Sequence, residues 1–399
     1  MNRIASWLDL PPGHLPTIRR AVGLLLLCVL PEVVFWSHGG PGPYHVPAWR
    51  IGGVSVDIPL PPPSLDAALW GIYVVAAGAM LLDFRSRAVP AVAAAILGYY
   101  GWRDARACNS SYVQLLFTYL VAFLFARGPV HGTRRLIQCS LTACYAFSVL
   151  QKLAMPEWRQ GHTLDDILRY GDGVRAIWAP LLRQLAPPAG LVRLLAPGVI
   201  LVEVFIAGGL WARRTRKAAF ALGIALHAGF TLIFHGVDLF APAMLTGYLA
   251  FPDSGEEVPP GPPPRRLEVV LAAAYLAFLI AVPARIYLPP MRPWHLLTHM
   301  DHLPWTYSMF AQMDHVDSVE VAYLDRDGSR RVVAPVGRML EASSDADLHA
   351  LAREVLREHP DAGEVEVRVR LTVNHRRGLE KLVRAIRGRP PSTIVRECP

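Results

Sequence analysis

The sequence predicts a mainly α fold: a polytopic helical membrane bundle of about nine spans, followed by a small C-terminal α+β soluble domain. Three observations carry this. Of the 399 residues, 53% are hydrophobic and 18% charged, where a soluble protein carries about a quarter charged. The mean hydropathy is +0.30, and the apolar residues gather in runs long enough to cross roughly 30 Å of hydrocarbon at about 1.5 Å per helical residue. After Pro289 the composition turns soluble.

Residues 1–20 are polar and contain proline, and the first apolar run lacks a small-residue cleavage site. They read as a cytoplasmic N-terminal segment, not a cleaved signal peptide. The transmembrane part runs over 21–288, with spans at 21–36, 65–82, 89–102, 111–127, 134–153 and 191–211. The apolar stretch 218–251 is too long for one crossing. His235-Gly-Val-Asp238 in its middle reads as the turn of a two-span hairpin, and the ninth span covers 267–287. Residues 37–63 form an external loop with short β-like runs such as Val54-Ser-Val-Asp-Ile58. Residues 154–190 form an amphipathic connector.

A junction over 289–315 leads to a soluble unit over 316–399. There Val319–Leu324 and Arg331–Val333 read as a β-hairpin around Arg326-Asp-Gly328. Asp345–Glu358 has the 3.6-residue period of a helix, with Ser344 as its N-cap. Glu364–Val373 alternates as a strand does, and Gly378–Arg387 reads as a last basic helix.

Net charge is +8, but the positive residues are spread over loops beside apolar runs. They read as topology signals and membrane-lipid contacts, not as a nucleic-acid surface. Arg19/Arg20, Arg85/Arg87, Arg134/Arg135, Arg213–Lys217 and Arg265/Arg266 fall on one side of a nine-span bundle. The positive-inside rule makes that side cytoplasmic and puts the C-terminal unit on the opposite side of the cell membrane. The five cysteines have neither CxxC spacing nor the pattern of a disulfide framework.

Polar groups inside spans are expensive, which makes each a candidate site. Lys152 closes the fifth span, just before Pro156, Trp158 and Gly161 turn the chain away. Its ammonium either snorkels to the surface, with Trp158 in the aromatic belt, or is held in a protein pocket. A desolvated amine of the second kind serves as a base or nucleophile near neutral pH. Glu32, Asn109, Tyr112, Glu203, His227 and His235 join it, and the nine-span layout puts all of them in the outer half of the membrane. Their plainer readings are a core histidine bonded to a carbonyl (His227), a partner for a buried Lys or Arg (Glu203) and a helix cap (Asn109). His295, His299, His302 and His315, with Asp301 and Asp314, are too irregularly spaced for a metal site, and no metal is expected.

Tyr145, Lys152-Leu153, Trp158 and Gly161 together resemble the signature of the horizontally transferred transmembrane domain family, whose best-known members are the vitamin K-dependent gamma-carboxylases. Asn109-x-Ser111-Tyr112, His227 with Phe234 and Phe240, and Pro304-Trp-Thr-Tyr307-Ser-Met-Phe310 agree, so the resemblance covers about residues 15–335. It implies an enzyme that uses a reduced vitamin K-type quinone, O2 and CO2 to carboxylate glutamate in a peptide. It casts Lys152 as the initiating base with His227 and Glu203 in the catalytic pocket. Asn109, Tyr112, Trp158, His235 and Tyr307 would contact substrate or quinone. The chain departs from the family at Ser110, where the carboxylases have histidine, and at Gln151, where they have a second lysine. The contrasting expectation is a non-catalytic membrane protein that binds lipid or peptide in secretion or peptide maturation.

Overall fold

The computed structural model describes residues 14–38, 49–51, 54–56, 58–103, 111–125, 132–154, 156–162, 164–165, 175, 177–178, 180–181, 189–234, 238–251, 266–284, 314–325, 327–333, 345–373, 377–389 and 391–397. The part expected to span the membrane is helical among the described residues. Its helices are α1 (Leu15–Ser37), α2 (Pro63–Leu81), α3 (Ala88–Arg103), α4 (Ser111–Phe123), α5 (Thr133–Ala154), α6 (Ala189–Gly209), α7 (Arg216–Ile233), α8 (Phe240–Tyr248) and α9 (Arg266–Ala284). One helix stands at each expected span. The expected external loop holds a two-stranded ladder, β1 (Trp49–Ile51) against β2 (Val54–Val56).

Among the described residues, three helical stretches, Pro63–Leu81, Gly190–Gly209 and Arg216–Ile233, are long and apolar enough to cross a membrane. Large apolar side chains such as Leu194, Leu201, Leu232, Val270 and Ile280 are exposed on α6, α7 and α9. A surface of this kind is at rest against lipid and not against water. At nine residues, α8 rises only about 14 Å and is too short to cross by itself.

The helices alternate in direction. Arg19, near the start of α1, bonds the Phe84 carbonyl just past α2 at 3.2 Å and lies over the Phe123 ring at the end of α4. Arg134 at the start of α5 reaches the Ala250 and Phe251 carbonyls just past α8, at 2.6 and 3.0 Å. Arg135 lies over Trp211, just past α6. Arg87, before α3, approaches Glu268 at the start of α9 at 3.8 Å. Arg19, Arg87, Arg134 and Arg135 therefore lie at one end of the bundle. Arg19 and Arg134 are nonetheless buried and do more than mark topology, because their guanidinium groups satisfy carbonyls that helix ends leave open.

α5 is the hub, packing on α4, α6, α8 and α9. Close approach needs small residues at particular places. A Cβ on Gly23 would lie 2.5 Å from the Leu81 nitrogen, so glycine there lets α1 pack tightly on α2.

The C-terminal unit is a five-stranded antiparallel sheet in the order β4-β3-β5-β6-β7, with one helix, α10 (Asp345–Glu358), on one face. Its strands are β3 (Asp314–Asp325), β4 (Arg330–Val333), β5 (Ala362–Val373), β6 (Arg377–Ile386) and β7 (Ser392–Glu397). The hairpin, the helix and the β5 strand agree with the sequence reading; Ser344 lies outside the described residues. The expected basic helix over Gly378–Arg387 is instead strand β6. Its apolar residues do recur at helical spacing, but ladders to β5 and β7 on both sides override that local preference. Val383 and Ala385 pack into the core shared with α10.

The β3–β4 hairpin carries an acid-sensitive turn. Arg330 bonds Glu320 and holds its carboxyl below the ordinary 4.5. The Ser329 amide, at 2.9 Å, holds Asp327 below the ordinary 3.8. A carboxyl depressed in the folded state stabilises it above the unfolded value, and that contribution is lost as pH falls through the folded value. Protection of the β3–β4 amides, taken relative to the intrinsic exchange rate at each pH, is therefore expected to fall as pH drops from about 4.5 downward, and Glu320→Gln to flatten the dependence.

Candidate functional site

Residues Tyr145, Ser148 and Lys152 share one face of α5, since side chains three and four apart in a helix stack. α6 presents Glu203 to this face. Lys152 Nζ donates to Glu203 Oε1 and Oε2 at 2.8 and 2.9 Å and to Ser148 Oγ at 2.5 Å. The Ser148 hydroxyl in turn donates to Glu203 Oε2 at 3.3 Å. The two charged side chains are 2% and 1% exposed. Either charge alone in such a place costs several kcal/mol, so each makes the other tolerable.

The chain then turns back over the pair. Trp158, in a one-turn helix at Pro156–Arg159, is buried against Val149 and Ile200. The Lys152 ammonium sits 5.4 Å from the centre of its ring, within cation–π range. Gly161 lets the return run close, because its φ is +78° and a Cβ would lie 3.0 Å from the Arg193 Cα.

A second polar group stands about two turns back along the same face. Tyr145 Oη meets His227 Nε2 on α7 at 2.5 Å and also the Tyr248 hydroxyl at the end of α8. His227 is wholly buried, with the Phe240 ring edge-on 5.3 Å away. Gly223, one turn before it, leaves room for Tyr248: a Cβ there would lie 2.0 Å from the Tyr248 oxygen. Glu203 lies within electrostatic reach of Cys144, Tyr145 and Tyr248, so the two groups share one stretch of the bundle interior.

Of the expected site residues, Lys152, Glu203 and Trp158 come together, and His227 stands about two turns back along α5, bonded to Tyr145. Lys152 is held within the protein and does not snorkel. Glu203 takes the pairing that its type allows, although it lies past the midpoint of α6 and not in its first half. His227 bonds a tyrosine hydroxyl where a carbonyl is the commoner partner. Tyr112 stands apart from these residues and bonds Glu32 on α1. Asn109, His235 and Tyr307 lie outside the described residues.

Sequence reasoning missed Ser148, Tyr145 as a bonding group, and Tyr248. Spacing from Lys152 points to the first two, at four and seven residues back on one helix. Nothing in the sequence marks Tyr248. It also missed a carboxylate elsewhere in the bundle, where Asp66 accepts from Tyr100 and, at 3.0 Å, from His38.

No protein-family profile, characterised protein or solved structure matches the chain.

Proposed function

We propose that the chain is an integral membrane enzyme of the vitamin K-dependent gamma-carboxylase type, belonging to the horizontally transferred transmembrane domain family. On this reading it crosses the cell membrane about nine times, with its N-terminus in the cytoplasm and its C-terminal unit on the other side. The position of Arg19, Arg87, Arg134 and Arg135 at one end of the bundle supports that orientation. The observation that carries the functional reading is the buried Lys152 at the end of an apolar helix, backed by Glu203 and faced by Trp158.

The substrate is a glutamate in a peptide, and a reduced vitamin K-type quinone is the co-substrate, delivered from membrane lipid. The residues fit such a molecule, because Trp158 Nε1 and His227 Nδ1 are buried without a partner among the described residues. On this reading Lys152, Trp158 and His227 would hold it, each through its own polar atom. When bound with O2 it supplies a base strong enough to remove the γ-proton of glutamate ahead of CO2 addition.

The protein's own part is modest in kind. Lys152 moves a proton at Nζ, while Ser148 and Glu203 fix the direction in which that nitrogen points. Tyr145 orients His227. The apolar wall of α5, α6 and α7 keeps out water, which would quench a carbanion.

A second reading, a non-catalytic membrane protein that binds lipid or peptide in secretion or peptide maturation, is favoured by one observation. The Lys152 ammonium already finds its acceptors inside the protein.

The test uses protein purified in lipid with a reduced naphthoquinone, O2, CO2 and a glutamate-containing peptide. The wild type is expected to form quinone epoxide and add carboxyl mass to the peptide, and Lys152→Ala to insert normally and do neither. Equal turnover by both proteins would remove Lys152 from its role, and turnover by neither would leave the non-catalytic reading.

A further inference from the structure

We propose that Glu203 is the residue that takes the Lys152 proton, so that the free amine is made inside the bundle without releasing a proton to water. The inference rests on the reading of Lys152 as a base. An ammonium is no base, and the structure holds this amine against a carboxylate. A proton must leave Nζ before Lys152 can accept one.

Geometry offers one destination in direct contact. Glu203 Oε1 and Oε2 lie 2.8 and 2.9 Å from Nζ. The transfer breaks one Nζ–H bond and forms one Oε–H bond; nothing is oxidised or reduced. It turns a buried ion pair into a buried neutral pair, which leaves no charge stranded in a dry site. Release to water would do the opposite and leave the carboxylate buried without its cation. Ser148 serves both forms, because its hydroxyl accepts from Nζ and donates to Glu203.

The other titratable groups near the pair do not compete. Cys144 and Tyr145 on α5 and Tyr248 on α8 feel the Glu203 charge, but none bonds Nζ. His227 on α7 directs Nε2 to Tyr145. Glu203 is thus a positioning residue that acts through Lys152.

The test reads the protonation of Glu203 directly, by infrared spectroscopy of the full chain in lipid nanodiscs with isotope-labelled glutamate carboxyls. Lys152→Met removes the cation while keeping an apolar stem of similar size. At neutral pH the carbonyl band of an un-ionised acid is expected to be absent in wild type, present in Lys152→Met, and lost again in the Lys152→Met/Glu203→Gln double variant. Should Lys152→Met fail to fold, arylation of Lys152 in the wild type with fluorodinitrobenzene removes the same charge and is expected to raise the same band. A carboxylate that stays ionised after either change overturns the proposal. Quinone turnover is not part of this readout, so failure of the carboxylase reading would show separately, as a missing epoxide.

Discussion

Glu203→Ala is expected to destabilise the protein by about 3–5 kcal/mol, the cost of leaving a buried charge without its partner. The pair is almost completely enclosed, and among the described residues Lys152 retains the Ser148 hydroxyl and the Trp158 ring as favourable contacts once the carboxylate is gone. The loss belongs to the broken pair and not to the volume of the side chain. Removing both charges together, as in Lys152→Met/Glu203→Leu, is therefore expected to restore stability to within about 1 kcal/mol of the wild type, since apolar replacement of a buried pair is often neutral. Unfolding transitions in mixed detergent measure all of these. Equal losses in the single and double variants would mean that the pair contributes by packing alone.

Arg134→Met is expected to cost about 2–4 kcal/mol, because it strips bonds from two buried carbonyls at once. Arg134 is 2% exposed, and its guanidinium reaches both Ala250 and Phe251. Gln138 keeps a bond of 2.8 Å to Ala250 and limits the damage. The short helix α8 depends on this anchorage, and it presents Tyr248 to Tyr145. Faster amide exchange should therefore appear in α8 before the rest of the bundle. Arg134→Lys is expected to recover less than half of the loss, since an ammonium cannot match the planar fork that bonds two carbonyls. Slow exchange in α8 of Arg134→Met would assign the arginine a smaller part.

Why the bundle was legible and its candidate site only partly so has a physical explanation. Apolar runs report how much of a helix avoids water, which is enough to place α1 to α9 along the chain. Gly378–Arg387 shows the limit, for its helical period is real, yet strand pairing on both sides decides the outcome. At the site, burying a charge is costly enough that Lys152 and Glu203 draw notice alone. Their union depends on how far α6 slides along α5, and no single segment encodes that. Gly223 and Tyr248 show the same limit, since the glycine matters only because a tyrosine from another helix arrives beside it. Arg19 and Arg134 were read as surface charges because sequence does not distinguish an arginine facing headgroups from one capping a neighbouring helix.

Selective labelling of lysines tests the central claim most directly. The chain has three, Lys152, Lys217 and Lys381, and Lys217 is exposed at the start of α7. A sulfonated amine reagent confined to water, applied to protein in lipid nanodiscs and read by peptide mass, is expected to modify Lys217 and to leave Lys152 untouched. Modification of Lys152 at the rate of Lys217 would place its ammonium in water, and neither the ion pair nor the site built on it would stand.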